Sequence, residues 1–372
     1  MAFYRKKLIT FFINEECNMK CIYCPIHSDN SPTKNNPKVI DLNFAKKGID
    51  DYFESSFFKT KEKKGIRIFS NGEATMEFET VKSIIDYAYF KSNGNLFVEM
   101  QTNGYFNSKI AEWIRDNVDL IWISLDGLEK IQNLQRPTLG GESTFNVIDR
   151  NIKIINDSDK NKLGLRATIS DYNLKKQKEL IDYAVFNNLA AVYADPWASA
   201  IDEEGKPDLM VFAKEFLSAW NYANKKNLVY GTEMTVNFDE KVKIYCRSCL
   251  PAPQFTPDGY VSSCDMVNNK KSFLAQVFPE LIFGSYDKKR NKIYYNLKHI
   301  NKIKSRNIDN LKQCKKCPVL EYCAGGCIGV AMAKSLDFYG INKEYCPVVR
   351  YLYNNMKEVV NKGYDKNIPI HP

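Results

Sequence analysis

The sequence predicts an α/β protein in which a parallel sheet is followed by a smaller, cysteine-rich region. Up to about residue 198, short apolar runs of strand length alternate with amphipathic stretches of helical length. From about residue 240 this pattern fades and cysteines become frequent. Alternating strands and helices favour a parallel sheet with right-handed crossovers, either curved into a partial barrel or lying open. We therefore expect a βα domain over residues 1–205, a helical connector over 206–240, and a cysteine-rich domain with a C-terminal helix over 241–372.

Six strands are predicted in the first part. Each is a short apolar run, often rich in β-branched residues, as expected for a strand that is buried on both faces. They are Leu8–Asn14, Gly65–Ser70, Leu96–Thr102, Leu120–Asp126, Leu163–Ser170 and Ala190–Asp195. The predicted helices are Leu42–Phe53, Thr80–Phe90, Ile110–Asn117, Phe145–Ile155 and Lys175–Phe186, with a connector helix at Leu209–Asn227. Because parallel strands end at one edge of the sheet, functional residues are expected at their carboxyl ends.

The composition is that of an ordinary globular protein, with 44% hydrophobic and 26% charged residues. The net charge is +9, but the basic residues are interleaved with acids and no nucleic-acid motif is present, so a solvated surface is the simpler interpretation. No apolar run approaches the ~20 residues needed to cross a membrane. The N-terminal apolar run lacks a cleavage site, so it predicts a core strand and a cytoplasmic protein, not a signal peptide.

The chain has eleven cysteines but only three histidines. An odd number of cysteines without a signal peptide argues against disulfides, and tight clusters of reduced thiols indicate a metal site. Cys17, Cys21 and Cys24 follow the first strand with the spacing Cx3Cx2C. Three thiolates on one loop can bind three irons of a four-iron cluster and leave the fourth iron open to a small molecule. The alternative is a zinc knuckle, but zinc takes four ligands and His27 is weakly placed to be the fourth.

The Cx3Cx2C motif, with Tyr23 before its third cysteine, resembles that of the radical S-adenosylmethionine (SAM) superfamily. The resemblance covers about residues 5–200 and implies a partial (βα)6 barrel with the cysteine loop after the first strand. It also implies an enzyme that binds SAM at the open iron. In such enzymes the cofactor carries the difficult chemistry, while the protein orients it and excludes water.

Further motifs of the superfamily follow the predicted strands in order. Asn71-Gly72-Glu73-Ala74, after the second strand, is a variant of the family's Gly-Gly-Glu-Pro, and the resemblance implies that Glu73 receives the amino group of the methionine moiety. The third strand is followed by Asn103-Gly104, and the fourth ends in Ser124-Leu125-Asp126-Gly127. The expected cofactor contacts on these motifs are Asn71, Gly72, Glu73, Gln101, Asn103, Ser124 and Asp126.

Two arginines are candidates for binding the methionine carboxylate. Arg136 lies in the segment QRPTLGGESTF, and Arg166 lies on the fifth predicted strand. A guanidinium group suits a carboxylate because two of its N–H groups can bond it in parallel. Arg166 could equally be a structural salt-bridge partner.

The other eight cysteines lie in the third part of the chain. Cys249 begins the pattern Cx9Gx4C, in which Gly259 is the glycine and Cys264 ends it, and Cys314 begins Cx2Cx5Cx3C, after which comes Cys346. This spacing resembles the seven-cysteine signature of the SPASM extension, over about residues 245–350. Cys246 is an eighth cysteine, either a ligand or a spare thiol. By analogy with the family we assign Cys246, Cys249, Cys264 and Cys327 to a first auxiliary [4Fe–4S] cluster, and Cys314, Cys317, Cys323 and Cys346 to a second, so that three clusters are expected in all.

The resemblance implies that SAM is cleaved to a 5′-deoxyadenosyl radical that oxidises a side chain of a peptide or protein, as in maturases that crosslink ribosomal peptides. An anaerobic sulfatase maturase that makes formylglycine is an alternative: Asp265 after Cys264 resembles a Cys-Asp pair whose aspartate is a proposed base, but Gln132 replaces the usual histidine of that family. Small-molecule chemistry and an electron-transfer protein are the other possibilities. The expected partners are an external one-electron donor of the flavodoxin or ferredoxin type and, because no recognition domain precedes Leu8, a separate peptide-recognition protein.

Overall fold

The computed structural model describes residues 8–24, 26, 35–54, 63–158, 162–197 and 205–360. Residues 358–360 are described by their backbone alone. His27, the candidate zinc ligand, lies outside the described residues. In these parts of the chain, no helix is long and apolar enough to cross a bilayer.

Eleven strands and twelve α-helices form the described fold. The strands are β1 (Ile9–Phe12), β2 (Gly65–Phe69), β3 (Phe97–Thr102), β4 (Leu120–Ser124), β5 (Lys162–Ile169), β6 (Ala191–Pro196), β7 (Val229–Gly231), β8 (Gln254–Phe255), β9 (Tyr260–Ser262), β10 (Ile282–Asp287) and β11 (Lys292–Tyr295). The helices are α1 (Leu42–Glu54), α2 (Phe78–Lys91), α3 (Ser108–Asn117), α4 (Glu129–Gln135), α5 (Phe145–Asn156), α6 (Gln177–Phe186), α7 (Leu209–Lys225), α8 (Phe273–Val277), α9 (Leu297–Lys304), α10 (Leu320–Cys323), α11 (Ile328–Ser335) and α12 (Tyr345–Val360).

All strands belong to one sheet with the order β11-β10-β9-β8-β1-β2-β3-β4-β5-β6-β7. Strands β1 to β7 are parallel to their neighbours, and the helices between them cover the outer face. The sheet curls into a partial barrel, because Leu8 beside β1 packs in one buried cluster with Trp122 of β4, Tyr193 of β6 and Val229 of β7. The predicted fold class, an α/β partial barrel followed by a cysteine-rich region, is confirmed.

The six predicted strands and six predicted helices are present, with their ends shifted by a few residues. Two elements of this region were not predicted. Helix α4 is only seven residues long, and β7 is a three-residue strand that adds to the sheet within the expected connector. Both are too short for hydrophobic periodicity to reveal them.

The cysteine-rich region continues the same sheet. β8 pairs in parallel with β1, and β8 to β11 then form antiparallel hairpins. The sheet therefore runs without a break from the βα region into the cysteine-rich region. Phe255 of β8 stacks on Phe11 of β1 at a ring separation of 5.0 Å, and helix α12 packs against α7. This packing attaches the cysteine-rich region, which carries the eight cysteines from Cys246 to Cys346, to the barrel.

Candidate active site

Cys17, Cys21 and Cys24 lie on the loop that follows β1, at the carboxyl edge of the sheet. The loop is held to the end of α4 and the segment after it by three backbone hydrogen bonds. They run from Lys20 N–H to the Pro137 carbonyl (2.9 Å), from Ile22 N–H to the Gln135 carbonyl (3.0 Å) and from Leu139 N–H to the Asn18 carbonyl (3.2 Å). Burial raises the pKa of the Cys17 thiol to about 12 and that of Cys21 to about 11. The three sulfurs therefore share one partly buried loop whose shape is fixed by backbone contacts.

Glu73 connects this loop to the ends of β2 and β3. Its Oε1 accepts hydrogen bonds from the Thr75 N–H (3.0 Å), the Thr75 hydroxyl (2.8 Å) and the Thr102 hydroxyl (2.7 Å), while Oε2 accepts one from the Asn103 N–H (2.6 Å). Asn103 in turn directs its side-chain amide to Cys17 Sγ at 3.8 Å. Within the described residues, Oε2 accepts only the one hydrogen bond from Asn103, so it can still accept a further donor such as an ammonium group.

Gly72 lets the Asn71–Glu73 turn pack directly on the cysteine loop. A Cβ atom at this position would lie 1.7 Å from the carbonyl oxygen of Glu16. The next residue, Glu73, donates its N–H to that same oxygen at 2.7 Å. Only glycine fits here, which accounts for the glycine of the motif by close backbone approach.

Asp126, at the end of β4, is the centre of a second network beside the loop. Its Oδ2 accepts hydrogen bonds from the Tyr23 hydroxyl (2.7 Å) and the Gln135 side chain (2.8 Å) and lies 3.0 Å from Nε of Arg136. The Arg136 guanidinium also faces the Tyr23 ring, 5.2 Å from its centre. Gln132, which replaces the family's histidine, accepts the Asp126 N–H at 2.9 Å. These contacts bring Tyr23 and Arg136 against the cysteine loop.

The interior of the barrel carries charged residues one layer below this edge. Arg67 of β2 is buried, lies 3.5 Å from Glu99 of β3, and donates to Asp265 at 2.7 Å. Arg247, which follows Cys246, lies 3.9 Å from the other oxygen of Asp265. Burial alone would raise the pKa of Asp265, but the charges of Arg67 and then Arg247 outweigh it and hold that pKa below its ordinary value. The Asp265 carboxylate is therefore held in an ion pair with Arg67 in the interior of the barrel.

A second charged group lies on the opposite strands. Arg166 of β5 donates to Asp195 of β6 at 2.8 Å, and Asp195 also accepts the Thr232 hydroxyl and the Glu233 N–H. Burial, with the charge of Asp195 added to it and that of Arg166 opposing it, raises the pKa of Glu233 to about 8. Glu233 is therefore mostly protonated at neutral pH.

The variant Glu233→Gln tests this protonation state. A carboxyl group whose pKa is higher in the folded than in the unfolded state stabilises the fold at low pH and loses that contribution as the pH rises toward the folded pKa. Because glutamine mimics the protonated acid, the variant should melt close to wild type at pH 5 and several degrees higher at pH 8. Melting curves of the two proteins across this range measure it. A constant difference at all pH values would contradict the shifted pKa.

The eight remaining cysteines gather in two sets in the structure. The thiols of Cys249, Cys264 and Cys327 each interact electrostatically with Cys246. Those of the other set, Cys314, Cys323 and Cys346, interact with Cys317 in the same way. These are the same two groups of four that were assigned above by analogy with the family. We call them the first and the second auxiliary sets.

The chemistry of these groups fits iron–sulfur clusters. Each cysteine group has an arginine beside it, which suits an anionic cluster: Arg136 near Cys21 and Cys24, Arg306 near the first auxiliary set, and Arg350 near the second. Nη2 of Arg247, the residue after Cys246, is one of fourteen buried side-chain atoms of the described residues without a hydrogen-bond partner, so it can accommodate a bound group. Within the same residues, no three His, Cys, Asp or Glu side chains are placed to hold a single metal ion.

Several residues of the site were not singled out from the sequence. Arg67, Glu99, Arg247 and Glu233 all face the interior or its rim. A signal existed for two of them: Arg67 and Glu99 are the charged residues inside the apolar strands GIRIF and FVEMQT. A charge in the middle of a strand that is buried on both faces needs a partner inside the fold.

No protein-family model matches the chain. Comparisons with known proteins nevertheless confirm the predicted resemblance: in sequence and fold the chain is similar to radical SAM enzymes with a SPASM domain. The relatives include the cysteine-type anaerobic sulfatase-maturating enzymes of Clostridium novyi (29% identity over 147 residues, 38% of each protein) and of Clostridium perfringens (22% over 338 residues, 84% of this chain and 85% of the enzyme). An uncharacterized protein of Methanocaldococcus jannaschii is 30% identical over 187 residues, 49% of this chain and 60% of that protein. The chain thus spans less than two thirds of two of these relatives.

Solved structures have the same fold. Native anSMEcpe with bound AdoMet superposes with a TM-score of 0.73 at 15% identity, covering 95% of this chain and 98% of that protein. SuiB of Streptococcus suis bound to S-adenosylmethionine superposes with a TM-score of 0.62 at 14% identity, covering 92% of this chain and 77% of SuiB. At these identities the likeness is one of fold, and function rests on the residues of the site.

Proposed function

We propose that this protein is a radical SAM enzyme that oxidatively modifies a side chain of a peptide or protein. The observation that carries the proposal is the joining of Cys17, Glu73 and Asn103 in one hydrogen-bonded network at the carboxyl edge of a partial barrel. A three-thiolate loop needs a further ligand to complete a four-iron cluster, and the network places an acceptor for an amino group beside it.

The residues that would hold the cofactors follow from these contacts. Cys17, Cys21 and Cys24 would bind a [4Fe–4S] cluster, and Oε2 of Glu73 would accept the amino group of SAM. When bound, the reduced cluster supplies the electron that cleaves SAM into methionine and a 5′-deoxyadenosyl radical. Arg136 and Arg166 are the candidates for the carboxylate of SAM, and each already has an aspartate partner. Ser124, beside Arg166 in the β4–β5 register, and Gln101, which accepts from Arg67, would contact the cofactor from the barrel interior.

The substrate class is supported by two structural relatives. One solved structure is anSMEcpe with bound AdoMet and the Cp18Cys peptide, and another is SuiB bound to the precursor peptide SuiA. In this chain the barrel interior has charged side chains of both signs, from Arg67 and Asp265 to Arg166 and Asp195, which suits a polar peptide segment better than an apolar molecule. A separate recognition protein would assist if the substrate carries a leader.

We favour crosslink formation over formylglycine synthesis because of Asp265. A general base works best when its pKa lies near the operating pH, and the ion pair with Arg67 moves the pKa of Asp265 in the opposite direction. Formylglycine synthesis is the second candidate, because the anSMEcpe fold matches nearly its whole length to this chain.

Mass spectrometry of candidate peptides tests the function. A cysteine-containing sulfatase peptide and small peptides encoded beside this protein are incubated with reductant and SAM. A crosslink removes two hydrogens from the peptide, whereas formylglycine formation removes two hydrogens and also replaces the cysteine sulfur by oxygen. Transfer of deuterium from the labelled peptide into 5′-deoxyadenosine would identify the hydrogen abstracted. If deoxyadenosine forms but no peptide is altered and none donates deuterium, the peptide substrate class is wrong.

The variant Asp265→Asn tests whether this carboxylate takes the proton that the substrate releases. If formylglycine synthesis uses Asp265 as its base, product formation should fall at least about tenfold, or about 1.4 kcal/mol of transition-state stabilisation, while cleavage of SAM without substrate continues; the crosslinking that we favour requires no such fall. Asp287→Asn, a partly exposed acid at the end of β10, is the control for the charge change. Unchanged product yield in Asp265→Asn would show that Asp265 has only a structural role, as the ion-pair partner of Arg67.

We propose that all eight cysteines of the auxiliary sets bind iron, so that each set holds a fully protein-ligated [4Fe–4S] cluster. Such clusters suit a net two-electron oxidation, because the substrate radical that remains after hydrogen abstraction must lose one more electron. Cys246→Ala should then lower the iron content and change the spectrum of the first auxiliary cluster, as Cys249→Ala should. Iron content and spectra equal to wild type in Cys246→Ala would make Cys246 a bystander.

A further inference from the structure

The surface around the second auxiliary set is strongly basic. Five exposed residues surround these cysteines, and we call them the basic rim: Lys312, Lys315, Lys316, Lys343 and Arg350. Three of the lysines lie within the six-residue segment KQCKKC. The rim therefore places five positively charged side chains around one group of cysteines.

The lysines of the rim differ from many on the barrel helices in lacking carboxylate partners. Lys47, Lys91 and Lys153 on the barrel helices each form an ion pair with an acid of a helix. By contrast, no carboxylate of the described residues lies within 4.0 Å of Lys312, Lys315, Lys316 or Lys343. The acid beside Lys343 in sequence, Glu344, is 3.7 Å from Lys334. The charge of the rim is thus left to act outward on an approaching molecule.

The rim also contacts the cysteines directly. Arg350 is exposed on α12 and lines one cavity together with Cys314, Cys317 and Cys346, and its charge acts on all three. Cys317 and Cys346 are themselves partly exposed. Three of the four cysteines of the second auxiliary set are thus partly exposed inside the basic rim, and Cys314 is buried, whereas two of the four in the first set, Cys249 and Cys264, are buried.

We propose that the basic rim is the docking site of an acidic one-electron carrier protein, which exchanges electrons with a cluster held by the second auxiliary set. This rests on the proposed function and adds the place where its redox partner binds. In the exchange, a flavin hydroquinone loses one electron to become a semiquinone, and the cluster gains that electron; no other bond changes. Complementary charge steers such encounters and holds the two centres close enough for electron transfer.

Binding and kinetics with an acidic flavodoxin test the proposal. The double variant Lys312→Glu with Lys343→Glu reverses charge on the rim without altering a residue directly next to a cysteine in the sequence. At low ionic strength we expect the affinity of the double variant for oxidised flavodoxin to fall at least about tenfold. Its rate of reduction by flavodoxin hydroquinone, measured by stopped flow, should fall by a similar factor. The loss should shrink at high salt, because exposed charges are then screened. The matched control is Lys109→Glu with Lys175→Glu, two exposed lysines on the barrel, which should change either quantity less than about twofold.

Formation of 5′-deoxyadenosine with the chemical reductant dithionite distinguishes a failure of the proposed function from a failure of the docking proposal. It should be equal in wild type and both double variants, because a small reductant needs no docking site. If it is absent even in wild type, the proposed function fails. If it is present while flavodoxin binding and reduction are the same in the rim variant as in the control, the docking proposal fails. An unchanged flavodoxin response with a raised KM for an acidic substrate peptide would assign the rim to the peptide and also overturn the proposal.

Discussion

Alanine in place of Cys17, Cys21 or Cys24 is expected to abolish formation of 5′-deoxyadenosine while leaving about two thirds of the iron. These three thiols are the protein ligands available on the loop after β1, so the loss of any one leaves the proposed cluster with too few. The auxiliary sets lie on other elements and should retain their iron. Iron analysis and chromatography of the reaction products, on protein reconstituted without oxygen, measure both effects.

Cys314→Ala is the matched comparison. It removes one thiol from the second auxiliary set, so it should cost a similar amount of iron but leave cleavage of SAM by dithionite-reduced protein in place. Wild-type cleavage in any of the three loop variants would show that the loop does not hold the catalytic cluster.

The variant Gly72→Ala should lose SAM binding and cleavage nearly as completely as the three cysteine variants do, although it removes no functional group. Its Cβ would fall 1.7 Å from the Glu16 carbonyl oxygen, and backbone on both sides must move to relieve this contact. Since the neighbouring residue Glu73 is bonded to the same oxygen, the movement would pull its carboxylate away from Asn103 and the cysteine loop. We expect at least about a hundredfold loss of cleavage rate, the effect of misplacing a binding group by about 1 Å.

Gly94→Ala is the control for backbone strain. Gly94 has a φ of +78° but open space around its missing Cβ, and it lies in the turn after α2, away from the site. An alanine there costs about 1 kcal/mol of stability through its left-handed backbone and should leave cleavage unchanged. Equal SAM affinity in Gly72→Ala and wild type, measured by equilibrium dialysis, would contradict the role of the close contact.

The strands and the cysteine groups were predictable because each depends on local pattern. Strands buried on both faces are written as continuous apolar runs, so β1 to β6 could be located from the sequence. Ligand spacing is also local, and the two groups of cysteines that lie together in the structure are those assigned by analogy with the family. The Asn71–Glu73 motif was recognised by its position after β2, which pairs directly with β1 and so brings the motif to the loop after β1.

The partners of the charged residues depend on the order of the strands in the sheet and could not be predicted. Arg67 and Asp265 are 198 residues apart in the chain, and the pairing of β8 with β1 brings their segments together. The sequence therefore suggested Asp265 as a base without indicating that it pairs with Arg67. Arg136 was a candidate for the carboxylate of SAM, and its ion pair with Asp126 was not foreseen. Local pattern shows that a charge is present, but the tertiary fold decides which charge it meets.

The most direct test of the central claim is to mix the anaerobically reconstituted, dithionite-reduced protein with SAM and quantify the products. The account predicts 5′-deoxyadenosine and methionine in equal amounts, formed only when reductant is present. The result that would contradict it is the absence of 5′-deoxyadenosine from protein whose electron paramagnetic resonance spectrum shows a reduced [4Fe–4S] cluster.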